Sequence, residues 1–237
     1  MKSRIEDLTE PFAILDHVSV YCGDSLPILT EWERQGKRFD LLLTDPPYGL
    51  NQKENKPSGT SKKMAKGAYD DDLFPDTVEY LNEVVRPIID IALRICDLGI
   101  ICGGVGSWKY LPSPKEEGCL FMPAAYGFNS WGHQDFRPIF YYGKPKGNVG
   151  KYRRLSHMVT ESGFSKKHPC SKPLELWKKL MLCGTDGIQG KSILDPFGGS
   201  GTTGRAAQDL GMDAVLVELN PRYCQVIKEN CSQGTLF

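Results

Sequence analysis

The stretch Leu41-Leu42-Leu43-Thr44-Asp45-Pro46-Pro47-Tyr48-Gly49 joins an apolar run to a carboxylate, two prolines and an aromatic ring. A short apolar run halted by prolines reads as a buried parallel strand that stops abruptly, because proline offers no N–H to a ladder. Asp45 and Tyr48 then stand at the strand's carboxyl edge, where open α/β sheets bind ligands. There the Asp45 carboxylate and the Pro46 carbonyl can accept both hydrogens of an amine carried on a flat heterocycle. Pro47 keeps the turn rigid and Tyr48 stacks on the heterocycle's face. The alternative for these residues alone is a strand ending in a turn, with Tyr48 filling the core.

A second set lies late in the chain. Ser192-Ile193-Leu194-Asp195 reads as a strand, Pro196-Phe197-Gly198-Gly199-Ser200-Gly201 as a glycine turn, Thr202 to Leu210 as a helix, and Ala214 to Glu218 as a strand ending in an acid. Gly199, Gly201 and Gly204 carry the dinucleotide spacing, and Glu218 follows at the customary interval of about 20 residues. Such a unit binds a nucleoside: backbone amides and the helix N-terminus meet its polar tail, and the acid takes the ribose hydroxyls. Gly190-Lys191-Ser192 does not make a phosphate loop, because Thr185 stands where the first glycine belongs and the segment enters a strand instead of a helix.

Several elements must position these groups. His17 to Cys22 alternates like a strand and closes at Gly23-Asp24, and Ser25 to Arg34 has helical spacing through Leu26, Leu29 and Trp32. The strand ending at Thr44 follows, which implies a parallel pair with a right-handed crossover. A Lys-, Gly-, Ser- and Asn-rich segment runs from Tyr48 to about Ala68 and is expected to be a mobile binding loop. A helix is predicted over roughly Asp76 to Cys96, kinked or divided at Pro87. Gly99 to Gly104 reads as a buried strand, residues 107–135 as irregular, Phe136 to Tyr142 as a late strand and Gly143 to Lys167 as basic loop. Ser171-Lys172-Pro173 opens a helix with Leu174, Trp177, Leu180 and Met181 on its buried face. Residues 1–11 read as a loose arm.

At 237 residues the chain suits one large α/β domain spanning 1–237. No run of about 20 apolar residues and no apolar leader core is present, so an intracellular, cytoplasmic protein without membrane attachment is expected. The 8 cysteines, at 22, 96, 102, 119, 170, 183, 224 and 231, form no Cys-x-x-Cys pair and match no cluster of the 4 histidines. That disfavours a metal site and suggests reduced core thiols. Lys plus Arg and Asp plus Glu balance at 29 each, yet the cations are unevenly placed. Lys53, Lys56, Lys62, Lys63 and Lys66 crowd one segment, and Lys144, Lys146, Lys151, Arg153, Arg154, Lys166 and Lys167 another. Both read as phosphate-contacting surfaces or as solvated loops.

Asp45-Pro46-Pro47-Tyr48 taken with Asp195-Pro196-Phe197-Gly198-Gly199-Ser200-Gly201-Thr202-Thr203 resembles the S-adenosylmethionine-dependent DNA amino-methyltransferases, which modify the exocyclic nitrogen of adenine or cytosine. The order of the two motifs resembles that family's circularly permuted β group. Gly23-Asp24-Ser25-Leu26 resembles the segment whose acid meets the cofactor's adenine, and His168-Pro169-x-x-Lys172-Pro173 the segment closing the methionine end. Glu218-x-Asn220-Pro221-x-Tyr223 resembles the ribose-binding strand end and its helix. The resemblance covers about residues 14–50 and 166–231. It implies a doubly wound, mostly parallel Rossmann-like methyltransferase sheet, permuted so that the first and last strands are neighbours, with a short irregular target-recognition insertion over 107–165. It implies S-adenosylmethionine as cofactor and DNA as partner, with adenine N6 preferred because Asp stands at the head of the acceptor motif. Cytosine N4, RNA, a restriction nuclease counterpart and a homodimer stay open.

Two rivals make distinct demands. A nicotinamide-dependent dehydrogenase shares the glycine turn and the acid, but leaves Asp45 to Tyr48 and the basic segments without a role. A binding module without turnover would show damage to the acceptor set, which is whole here.

Overall fold

The computed structural model describes residues 10–49, 77–104, 106–121, 127–129, 132–145, 151–158 and 172–232, with side chains at 127–129 and 132–134 left aside. Among these residues eleven strands and five helices of nine residues or more alternate as an α/β fold. The strands are β1 (Ala13–Leu15), β2 (Val18–Cys22), β3 (Phe39–Thr44), β4 (Cys96–Cys102), β5 (Glu116–Phe121), β6 (Gly127–Asn129), β7 (Gly132–Gln134), β8 (Phe136–Tyr142), β9 (His157–Met158), β10 (Ser192–Asp195) and β11 (Asp213–Glu218). The helices are α1 (Ser25–Arg34), α2 (Arg86–Ile95), α3 (Leu174–Thr185), α4 (Thr202–Leu210) and α5 (Pro221–Ser232).

The main sheet runs β1-β2-β11-β10-β3-β4-β8-β5-β9. Its five central strands, β2, β11, β10, β3 and β4, are parallel, while β1 and β8 join them antiparallel. As the permuted order requires, β2 lies beside β11, with Val18 opposite Ala214 and Cys22 opposite Glu218. From β10 the chain crosses through α4 to β11 on one side. From β3 it reaches β4 by way of α2 on the other. The winding therefore reverses between β10 and β3, and that crevice is the switch point of the sheet.

Alternation along the strands supplies a core on each face. Leu41, Leu43, Ile193, Ala214 and Leu216 pack with α3, α4 and α5. Leu42, Ile101, Leu194 and Val217 pack with α1 and α2. Both faces are covered, which is why these strands read as continuous apolar runs.

The sequence reading is refined at three places. The predicted helix is divided just before Pro87 into segments of different helical type, and the proline takes one of the first two positions of α2. A helical turn (Val78–Tyr80) and a π-helical turn (Leu81–Val85) precede α2 without a break in helical backbone, and Arg86 donates its amide to Leu81 one residue beyond the α-helical reach. Widening the turn there relieves the clash of a proline ring with the carbonyl four residues back. Secondly, residues 107–135 are not irregular throughout: among the described residues β5 pairs along its whole length with β8 and β6 pairs with β7, while 110–115 carry no helix or strand. Thirdly, Ala13–Leu15, just beyond the expected arm and unassigned in the sequence reading, pairs with β2, while residues 1–9 of the arm lie outside the described residues.

Because Leu42 is fully buried in the middle of the sheet, Leu42→Ala is expected to lower the unfolding free energy in urea by about 2–5 kcal/mol.

Candidate active site

The carboxyl ends of β2, β11, β10 and β3 are stitched together by backbone and side-chain bonds. Gly23 donates its amide to Glu218 O (2.9 Å) and Gly198 donates to Val217 O (2.9 Å). Ser25 Oγ donates to Pro196 O at 2.6 Å. Across the switch point, Thr44 Oγ1 donates to Asp195 Oδ1 at 2.7 Å. Asp195 is buried and also accepts the Phe197 amide (3.1 Å) and the Thr203 hydroxyl, which itself accepts Trp177 Nε1 at 2.8 Å. Burial pushes the Asp195 carboxyl up to about 6, against the hydrogen bonds from Thr203, Thr44 and Phe197.

The glycine turn needs its glycines. Gly199 and Gly201 both have left-handed backbone, φ +53 and +84, and a Cβ on Gly201 would stand 3.0 Å from Ile227. Glu218 closes the turn: its Oε2 accepts the Gly199 amide and its Oε1 the Asn220 amide, both at 2.8 Å. Desolvation pushes Glu218 up to about 7. Asn220 Oδ1 accepts the Arg222 amide at 2.9 Å at the start of α5, and Asn230 Nδ2 donates to Ser200 O at 2.9 Å. Asp24, exposed beside these residues in the sequence-distant β2 turn, caps α1 through Leu26 N at 2.9 Å.

Asp45 follows Thr44 directly, so the Thr44–Asp195 bond brings the early acid beside the late glycine turn. Tyr48 donates its hydroxyl to Asp45 Oδ1, and Lys172 forms an ion pair with Asp45 Oδ2. The Lys172 ammonium also stands 5.5 Å from the centre of the Tyr48 ring. Burial and the neighbouring Asp45 charge push the Tyr48 phenol well up. Burial works to lower the Lys172 ammonium, but Asp45 and Tyr48 outweigh it and hold it above its ordinary value. Gly104 makes room for the ring, since a Cβ there would lie 2.6 Å from Tyr48 Cβ.

The model of the N6/N4 DNA methylase family matches residues 108–229. The type II methyltransferase M2.DpnII of Streptococcus pneumoniae is 38% identical over 94% of this chain and 92% of its own length. The chain belongs to the DNA methylase family. The DNA adenine methyltransferase YhdJ of Escherichia coli K12 is 32% identical over 86% of this chain and 79% of its own. In fold, the chain is similar to the crystal structure of an M1.HpyAVI–SAM complex, with TM-score 0.61 and 19% identity over 90% of this chain and 99% of that one. The dehydrogenase reading falls with this assignment.

Of the methylase residues singled out from the sequence, Asp24, Asp45, Pro46, Pro47, Tyr48, Lys172, Pro173, Asp195 to Thr202, Glu218 and Asn220 converge on this carboxyl edge. His168, Lys53, Lys56, Lys62, Lys63, Lys66 and Lys146 lie outside the described residues. Lys166 and Lys167 are also outside them, and the four described cations of the second basic segment are not at the site. Arg153 Nε donates to Asp186 Oδ1 at 2.9 Å, beyond the far end of α3 from Lys172, and Tyr141 Oη donates to Arg154 O (3.3 Å) on the same side. Lys151 stacks over Tyr152, whose ring packs on Gly187, and Lys144 follows Gly143, which abuts Asp97 at the start of β4. Arg153 and Arg154 thus lie at the opposite end of α3 from Lys172, a helix about 18 Å long, and Lys144 lies at the amino end of β4.

Tyr80 was missed by the sequence reading. This half-buried ring packs against the core under α1 and α2, and burial first, then the charges of Asp24 and Glu218, push its phenol up. Its only sequence signal was an aromatic at the start of an apolar helix.

Both site acids have folded pKa values above their ordinary ones, so the folded state binds protons that the unfolded state has released. Their stabilising protonation is complete near pH 4 and is lost as pH rises through about 6 and 7. Urea midpoints are expected to fall between pH 5 and pH 8, and Glu218→Gln to flatten that slope.

Proposed function

We propose that this methylase transfers a methyl group from S-adenosylmethionine to the exocyclic N6 of adenine in DNA. The observation that carries the reading is the 2.7 Å bond from Thr44 to Asp195, which sets an amine-accepting acid beside a nucleoside-binding turn. The residues fit the cofactor: Glu218 and the left-handed glycines suit a ribose and its polar tail, Asp24 the adenine, and Lys172 and Pro173 the methionine end. Bound there, S-adenosylmethionine supplies a methyl group on a sulfonium.

The chain's own residues do the rest. A ring amine is a weak nucleophile because its lone pair is delocalised into the heterocycle. Asp45 and the Pro46 carbonyl accept its two hydrogens and favour a tetrahedral nitrogen, so catalysis is positioning plus electrostatic stabilisation. A methyl group supplied by the bound cofactor would leave the nitrogen cationic, and Asp45, already accepting one of its hydrogens, would take up the proton it sheds and pass it to solvent. The base reaches the pocket by leaving the duplex, and Tyr48 replaces its lost stacking at about 1–3 kcal/mol. YhdJ, named as acting on adenine, and the Asp at the head of the acceptor motif support adenine over cytosine. We assign phosphate contact to Lys53, Lys56, Lys62, Lys63 and Lys66, which follow Tyr48 in sequence, and target reading to the strands within 107–165. Relatives named as type II methyltransferases support a restriction nuclease counterpart, and the absence of a long apolar helix among the described residues fits a cytoplasmic setting.

Incubation with isotopically labelled cofactor and DNA, followed by mass identification of the modified base, is expected to give N6-methyladenine. Modified cytosine, or label in RNA alone, would replace the reading. Asp45→Ala is expected to lower kcat by about a hundredfold or more while cofactor binding by calorimetry survives.

A further inference from the structure

Lys172 holds both of the features that an incoming adenine needs. Its ammonium pairs with Asp45, and it stands over the Tyr48 ring at 5.5 Å. A carboxylate with an ammonium against it has little charge left to stabilise a nitrogen turning cationic. A ring with an ammonium above it is closed to stacking. Yet the backbone that carries Lys172 is fixed, because α3 begins immediately after Pro173 and is pinned by Trp177 to Thr203 in the cofactor turn. Only the flexible four-carbon stem is free to move.

Resting on the methyl-transfer reading above, we propose that Lys172 is a positioning residue that masks Asp45 and Tyr48 in the free protein. The carboxylate at the methionine end of the cofactor draws the ammonium off Asp45, and the acceptor base then enters. Cofactor and base binding are thereby coupled, cofactor first. An anion is required for this, so the coupling belongs to the cofactor's carboxylate and not to its adenosine.

The test measures the affinity of a fluorescent duplex carrying a mapped methylation site by anisotropy, with no addition, with S-adenosylhomocysteine, and with its decarboxylated analogue, each at saturation. Wild type is expected to bind DNA about tenfold tighter with S-adenosylhomocysteine and within about twofold of the free protein with the decarboxylated analogue. Lys172→Met is expected to bind DNA tightly without any addition, and Lys172→Arg, which keeps a cation for Asp45, to restore the coupling in part. Equal tightening by both analogues, or undiminished coupling in Lys172→Met, overturns the proposal. If Lys172→Met does not fold, the two analogues on wild type decide it alone. Absence of methyl transfer by wild type would sink the functional reading together with this one, whereas intact transfer with carboxylate-independent coupling sinks only this one.

Discussion

A single buried carboxylate holds the two halves of this molecule in register. Asp195 ends β10, lies within the fold, and accepts hydrogen bonds from Thr44 on β3, Thr203 on α4 and its own turn at Phe197. An unsatisfied buried charge would be costly, so these partners are strongly specified. The contacts continue into a closed ring. Thr203 accepts from Trp177, α3 runs back to Lys172, Lys172 pairs with Asp45, and Asp45 follows Thr44. The acceptor acid and the cofactor turn are thus two stations on one circuit, joined directly by Thr44 and Asp195 and, in the free protein, a second time through Lys172.

The ring also explains why distant parts of the sequence need one another. Winding reverses between β10 and β3, so among the described residues no helix crosses the crevice at their carboxyl ends. Side chains link its two sides. Thr44 and Asp195 do this at the floor, and Lys172 and Asp45 one residue higher. The shared face of α3 and α4 makes the arrangement stiff: Leu176, Trp177, Leu180 and Met181 are buried against the sheet, with Ala206 and Ala207 leaving room for close approach.

The central strands, α1, α4 and the positions of Asp45, Asp195 and Glu218 were legible because each follows a local rule. Apolar runs buried on both faces, proline and glycine stops, and an acid at a strand end are all written in adjacent residues. What was not legible depends on partners far away. β5 begins Glu116-Glu117-Gly118, a poor strand by propensity, and exists because β8 offers it an edge. The π-turn before Pro87 answers a steric conflict that sequence spacing reads as a break. Lys144, Lys151, Arg153 and Arg154 read as phosphate-contacting yet do not lie at the site, since charge patterning has no knowledge of which edge of a sheet a segment joins. Lys172 is the instructive case. Its motif pointed to the cofactor, whereas its geometry points to the acceptor acid.

The same neighbourhood bears on which chemistry the crevice can support. Transfer to a ring carbon needs a thiolate to add to the ring first, and Cys102, at the end of β4, is placed where Asp45, Lys172 and Asp195 all act on its thiol. Burial and the Asp45 charge push that thiol far up, so it stays protonated and unreactive. Cys102 packs in the core against Leu43 and Ile139 as a small apolar group. With a protonated sulfur at the head of β4 and a carboxylate at the head of β3, the crevice suits the amine-accepting role proposed for Asp45. An amine needs no covalent intermediate, only a fixed acceptor geometry, and the Asp195 circuit supplies it.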